Sequence, residues 1–479
     1  VVFSSTTFLF LFLPIVLTGY HLTPSIRLRN IFLLFASLFF YAWGEKGYVL
    51  LMMFSICINY SCGRLIDSFR QTHAAKLIVT AGIMINLLLL GRFKYTNFII
   101  DSINQLFAVF ELPHIEIGTI HLPIGISFFT FQAISYIVDV YRKEARVQKN
   151  LLDCGLFIAL FPQLIAGPIV RYHDIAEQLQ HRSHSLEKLY SGMILFTIGL
   201  GKKMLIANPM GEVTDQIFAI PGGELGMILA WTGAFSYMLQ IYFDFSGYSD
   251  MAIGLGRLFG FQFLINFNYP YIARSFREFW RRWHISLSNW FRDYLYIPLG
   301  GNQGTAKRVM LNLLIVFFLC GLWHGASWNF IVWGLLHGFF LVLERGKFGV
   351  FLKRWPRFFQ HLYLMVGLLL TWVIFRAESL DAGMQYLNSM AGFTSAEAWL
   401  HPVALYWDRH KTLVACIAIL AATPLFSSYT TSVSETFQKY NHGSALYLVM
   451  QFSAILIILI LCAMELAAGT HNPFIYFRF

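Results

Sequence analysis

The chain has 479 residues, of which 57% are hydrophobic and 13% charged. Soluble domains carry about 25% charged residues, so this composition excludes a soluble enzyme or binding module and calls for an integral membrane protein that crosses the bilayer many times. A net charge of +10 does not argue for a nucleic-acid partner, because most Lys and Arg sit in short loops between apolar runs, where they set topology.

At about 20 residues per span plus loops, the length accommodates roughly ten to thirteen membrane segments. The first apolar run, 8–20, contains Pro14 and lacks a basic leader and an A-x-A site, so no cleavable signal peptide is expected. Arg27 and Arg29 mark an inside loop. Residues 31–43 and 48–60 form a hairpin around Gly44-Glu45-Lys46-Gly47, and Arg64, Arg70 and Lys76 mark another inside loop. Residues 77–91 lead outward. Arg92 and Lys94 count against a simple alternation, but 101–121 is poor in Lys and Arg and is the best candidate for a periplasmic loop.

Residues 122–141 are a polar-spotted span in which Gln132 and Asp139, seven apart, share a face directed at protein. Arg142, Lys143, Arg146 and Lys149 follow on the inside. F-P-Q-L-I-A-G-P-I-V-R-Y at 161–172 places two prolines and a glycine in an apolar run, the pattern of a broken or re-entrant segment. Residues 190–207 contain Lys202 and Lys203, expected to end the membrane part. The span at 225–241 leads into Y-F-D-F-S-G-Y-S-D-M-A-I-G-L-G at 242–256. Asp244 and Asp250 there are candidates for substrate binding, but such carboxylates more often pair, and Arg274, Arg277 and Arg281 are available. Residues 365–375, 413–426 and 446–466 are the last clear spans, and 379–411 has room for a surface helix. There is no convincing internal repeat of the kind that duplicated-half transporters carry. The six cysteines show no C-x-x-C and no ligand spacing with His, so they are packing residues and no metal site is expected.

The most informative block is R-E-F-W-R-R-W-H-I-S-L-S-N-W-F-R-D-Y-L-Y at 277–296. Taken as one helix at about 100° per residue, it puts Arg277, Arg281, His284, Ser288 and Arg292 within an arc of roughly 80°. Phe276, Phe279, Trp280, Trp283, Leu287, Trp290 and Tyr294 fall within another of roughly 100°. Glu278 and Arg282 are spaced for an ion pair. Two apolar runs follow, 309–323 and 330–343, separated by G-L-W-H-G-A-S-W at 321–328. One helix over both would be roughly 50 Å long against a hydrocarbon core of about 30 Å, so the chain breaks, with Gly325-Ala326-Ser327 the place for it. His324 lies at that break, at a membrane surface if the runs span fully and in a cavity at depth if they are tilted or re-entrant. His337, on an apolar helix, is read as structural.

These motifs together resemble the membrane-bound O-acyltransferases, and within them the bacterial branch typified by the membrane subunit of alginate O-acetylation. V-F-S-S at 2–5, L-P-I-G-I-S-F-F-T-F-Q-A-I-S-Y-I-V-D-V-Y-R at 122–142, the segments at 161–171, 242–256 and 278–302, G-L-W-H-G at 321–325 and N-P-F-I-Y-F-R-F at 472–479 carry the resemblance in family order over nearly the whole chain. It implies an all-α polytopic membrane protein whose peripheral helices surround a central funnel or tunnel. The whole of 1–479 is then one membrane domain, with a catalytic core at about 122–345 and peripheral helices at 1–121 and 346–479. It further implies that His324 matches the family's essential histidine and that His284 occupies its second functional polar position.

Acyl transfer from a thioester to a hydroxyl needs a base and stabilisation of a tetrahedral oxyanion. His324 is assigned as base and His284 as a positioning or charge-stabilising partner. Arg277 and Arg281, with Trp280, Trp283, Ser288, Trp323, Asp244 and Asp250, are the candidate substrate- and donor-binding residues; the arginines suit a carboxylate, a phosphate or a pantetheine-linked donor. The expected donor is acetyl-CoA or another acetyl thioester, with no tightly bound cofactor. Family analogy implies relay of acetyl across the bacterial inner membrane to a periplasmic SGNH-type O-acetyltransferase, alongside polysaccharide synthesis and export machinery. D-Alanyl transfer to teichoic acid and a non-enzymatic lipid or sugar transporter are the alternatives.

Overall fold

A computed structural model of the protein describes residues 3–394, 400–425 and 443–469. Val2 of the opening motif, Phe426 at the end of the expected 413–426 span and the closing N-P-F-I-Y-F-R-F lie outside the described residues. Among the described residues there are helices and irregular segments and no strand. Among the described residues, six helical stretches are long and apolar enough to cross a membrane: Ile26–Ser68, His73–Val109, Leu186–Phe218, Ala306–His324, Arg357–Arg376 and Leu448–Ala467. A multi-pass all-α membrane protein follows, because in lipid each helix satisfies its own backbone hydrogen bonds.

The chain divides into two compact units. The first comprises the described residues up to Met193 together with Ala252–Leu264. It holds α1 (Leu13–Leu22), α2 (Ile26–Glu45), α3 (Val49–Ser68), α4 (His73–Leu90), α5 (Thr96–Val109), α6 (Ile126–Arg142), α7 (Leu151–Ala159), α8 (Phe161–Leu164) and α9 (Tyr172–Gln180). The expected α2–α3 hairpin is present, with Lys46 at φ 48° between the two helices. Helix α6 packs against α3 and α4, and Gln132 and Asp139 are buried as their shared face required. The prolines break the chain after α7 as expected, and residues 154–170 are wholly buried. The expected loop at 101–121 is instead half helix: α5 runs to Val109, and only the residues after Phe110 are irregular.

The second unit comprises Ile194–Met251 and the described residues from Ile265 onward. Its helices are α10 (Leu186–Gly201, entering from the first unit), α11 (Asn208–Phe218), α12 (Met227–Leu258, which leaves into it), α13 (Phe276–Trp280), α14 (Ile285–Phe291), α15 (Ala306–His324), α16 (Trp328–Arg345), α17 (Lys347–Leu352), α18 (Arg357–Arg376), α19 (Leu380–Met390), α20 (Arg409–Ala421) and α21 (Gly443–Ala467). Helix α19 is the surface helix expected within 379–411. Its Tyr386 and Met390 close a core with Val213, Ile217, Leu229 and Val373.

Lys202 and Lys203 open a stretch of π-helix, Lys202–Ala207, inside the continuous helical stretch Leu186–Phe218. One expectation needs correction. The partners of Asp244 and Asp250 are not arginines. Asp244 meets Lys203 at 2.8 Å and Asp250 meets Lys202 at 2.6 Å. The buried pair Lys203–Asp244 thus joins opposite charges within apolar helices, while Lys202 and Asp250 pair at a partly exposed position.

Candidate functional site

The two histidines of the central motifs are brought together by two different devices. His324 is the last residue of α15, and the chain turns at Gly325–Ser327 into α16, as the sequence required. The two helices lie antiparallel and close. A Cβ on Gly321 would collide with the Phe330 carbonyl, and one on Gly334 with the Phe317 carbonyl. Backbone thus approaches backbone, and the turn that carries His324 is held tightly. The imidazole is 7% exposed, with its ring 5.0 Å from Trp323, 5.0 Å from Trp333 and 5.3 Å from Phe375.

His284 is placed by a break that the single-helix reading of 277–296 did not anticipate. Helix α13 stops at Trp280, His284 takes a left-handed conformation at φ 43°, and α14 starts at Ile285. The physical reason is a preceding loop that captures backbone groups a helix would use. Asn268 N–H donates to the Arg282 carbonyl at 2.9 Å, and Ile285 N–H donates to the Asn266 carbonyl at 2.9 Å. A non-glycine residue at positive φ costs about 1–2 kcal/mol, and here those bonds hold it. His284 is fully buried. Its ring is 4.6 Å from Phe245 and 6.0 Å from Trp323. Trp323 therefore contacts both imidazoles.

Beside this junction lies a cleft of about 360 Å³ lined by Arg277, Trp280, Arg281, Ser288, Arg292 and Arg345, with apolar walls from Leu287, Phe291, Val316, Phe317 and Cys320. The broken helix still brings Arg277, Arg281, Ser288 and Arg292 to one place, but His284 turns away from the cleft wall into the core. Arg277 is positioned from α16, where the Glu344 carboxylate accepts the backbone N–H groups of Phe276 at 2.6 Å and Arg277 at 3.0 Å. Arg292 pairs with Asp293 at 2.7 Å and Arg345 donates to Asn302 Oδ1 at 2.9 Å. Arg281 forms no ion pair among the described residues and is available to an anion, whereas the Arg277 guanidinium faces the Glu344 carboxylate that also holds its backbone. The Ser288 hydroxyl likewise has no hydrogen-bond partner among the described residues. The expected Glu278–Arg282 pair forms at 3.0 Å.

The other candidates sit elsewhere. Trp283 stacks on Phe279 at 5.4 Å and packs 5.1 Å from Trp372. Asp244 and Asp250 are held by the lysines described above. His337 accepts the Trp280 Nε1–H at 3.2 Å and so braces one wall of the cleft, in keeping with its structural reading. The sequence reading missed Asn266, Arg345 and Glu344. A buried amide so close to the motif block, in N-F-N-Y at 266–269, was the available signal for the first.

A family model described as MBOAT, membrane-bound O-acyltransferase family, matches residues 141–384. The chain is 41% identical over 510 residues to a probable alginate O-acetylase AlgI of Azotobacter vinelandii, covering 100% of both chains. It is 45% identical over 425 residues to a protein of the same description from Pseudomonas aeruginosa, covering 88% of this chain and 81% of that one. A peptidoglycan O-acetyltransferase of Helicobacter pylori is 34% identical over 518 residues, covering 100% of this chain and 97% of its own.

Proposed function

Because the chain belongs to the membrane-bound O-acyltransferase family, we propose that it takes an acetyl group from a cytoplasmic thioester, acetyl-CoA, and passes it across the bacterial inner membrane for O-acetylation of an exopolysaccharide such as alginate. It is an O-acyltransferase and a multi-pass membrane protein. Similarity over the full chain to a protein described as a probable alginate O-acetylase supports acetyl as the group moved and alginate as the polymer. In this reading the immediate acceptor belongs to a periplasmic SGNH-type O-acetyltransferase, which modifies the polymer next to the synthesis and export machinery.

The observation that carries the reading is Trp323 in contact with both His284 and His324, next to a cleft whose arginines suit a phosphorylated donor. Arg277 and Arg281 hold the phosphate end of the donor, and the apolar wall toward Cys320 takes the pantetheine arm. Cys320 lies four residues, about one turn, before His324 on the same helix. The neutral His324 imidazole takes the proton of the acceptor hydroxyl as its oxygen attacks the thioester carbonyl. The C–O bond forms, the C–S bond breaks, and the proton passes to the departing sulfur. His284 steadies the charge that develops between these events.

The test is the O-acetyl content of exopolysaccharide in a deletion strain complemented with wild type, His324→Ala or His284→Ala at matched membrane levels. Loss of acetylation in the deletion that His324→Ala fails to restore is expected. Full restoration by His324→Ala overturns the catalytic assignment and brings a transporter forward.

A further inference from the structure

We propose that Asn266 is a positioning residue for the transfer reaction, fixing His284 in the tautomer that carries its proton on Nδ1 and presents the Nε2 lone pair to the reaction. The inference rests on the functional reading of His284 given above and extends it to a residue outside the motif block.

Asn266 is 1% exposed and His284 fully buried. Asn266 Oδ1 accepts the backbone N–H of Ser286 at 3.2 Å and the Ser286 hydroxyl at 2.9 Å. A backbone N–H can only donate, so the atom facing it must be the amide oxygen. The other end agrees: Asn266 Nδ2 donates to Ser249 Oγ, on α12, at 2.9 Å. With the oxygen so fixed, its 3.1 Å contact with His284 Nδ1 is a hydrogen bond only if Nδ1 bears the proton. The Nε2 atom then holds a lone pair. It is buried and has no hydrogen-bond partner among the described residues, so it is free to accept a proton or a hydrogen bond from a reacting group. An uncharged amide serves here where a carboxylate would favour a standing imidazolium. The same residue's main-chain carbonyl accepts the Ile285 N–H, so one asparagine sets both the left-handed backbone of His284 and the tautomer of its ring.

The experiment measures [14C]acetyl transfer from acetyl-CoA in inverted membrane vesicles between pH 5.5 and 9, for wild type, Asn266→Leu, Asn266→Asp and His284→Ala at matched protein levels. Asn266→Asp keeps the acceptor and the backbone contacts but adds a negative charge beside Nδ1–H. It is expected to stay folded and to move the acid limb of the kcat profile upward by about 1–2 pH units. Asn266→Leu is expected to lower kcat about 10–100-fold with little change in KM for acetyl-CoA, the size of effect seen when the partner that orients a functional histidine is removed. An unshifted acid limb in Asn266→Asp, with His284→Ala inactive, overturns the role of Asn266 and leaves His284 standing. Full activity in His284→Ala overturns the reading of His284 and this inference with it.

Discussion

The Lys203 ammonium lies 2.8 Å from the Asp244 carboxylate, with the two side chains 3% and 1% exposed. The two residues come from separate helical stretches, and each keeps its charge inside the protein because of the other. Removing one member leaves the other uncompensated, at a cost of about 3–5 kcal/mol, whereas replacing both by apolar residues of similar size is near neutral or stabilising. Asp244→Ala is therefore expected to lower the melting temperature of detergent-purified protein sharply, and Lys203→Met with Asp244→Leu to recover most of it. Thermal unfolding read by fluorescence-detected size exclusion checks both.

The arginine cleft predicts a binding defect. On the proposed function, Arg277→Ala and Arg281→Ala each remove a charge-assisted contact to an anionic donor, worth about 1.5–3 kcal/mol. Each variant is expected to raise KM for acetyl-CoA at least tenfold with kcat little changed. Steady-state kinetics at low and high salt separate this from damage to the histidines, because the wild-type advantage shrinks as salt rises.

The histidines predict a chemical defect. His324→Ala is expected to lower kcat about 10²–10⁴-fold, the range for loss of a general base, without a matching change in donor affinity. Single-turnover acetyl transfer and donor binding, measured on the same preparations, distinguish the two.

Two other histidines, both outside the membrane-length helices, predict opposite pH dependences of stability. The Asp139 carboxylate, 3.0 Å from His173 Nδ1, raises the affinity of that imidazole for its proton. Its folded pKa exceeds the unfolded one, so the pair's contribution is complete below about pH 6.5 and fades as pH rises through the folded value. His184 is held down to about 4, by burial first and then by Arg29, Arg182, His21 and Lys188. Its contribution is complete above about pH 6.5 and fades as pH falls toward 4. Melting temperature against pH is expected to lose its alkaline decline in part in His173→Ala, and its acid decline in part in His184→Gln.

What the sequence made legible was local. The break at Gly325–Ser327 follows from length and glycine. Of the five residues grouped by spacing, Arg277, Arg281, Ser288 and Arg292 do line one cleft, while His284 does not, because the helix assumed for them is interrupted there. What it hid depends on distant partners. Asn266 meets His284 across 18 positions, and Lys202 meets Asp250 across 48. Arginines nearer in sequence looked like better partners for Asp250 than a lysine on another helix. The break at His284 was hidden for the same reason, since the loop at 266–268 competes for its backbone and no propensity within 277–296 announces that competition.

The close contact of α15 with α16 bears on how a screen of variants would read. Gly321 and Gly334 can neither take a proton nor hold a charge, yet a single added methyl at either drives one helix backbone from the other. His324 rides on the turn joining them. On the proposed role of His324, alanine at 321 or 334 is expected to lower activity as alanine at 324 does, through displacement of the turn. A map of inactive variants drawn without a structural control would thus extend the apparent chemical site along a seam of residues that do no chemistry.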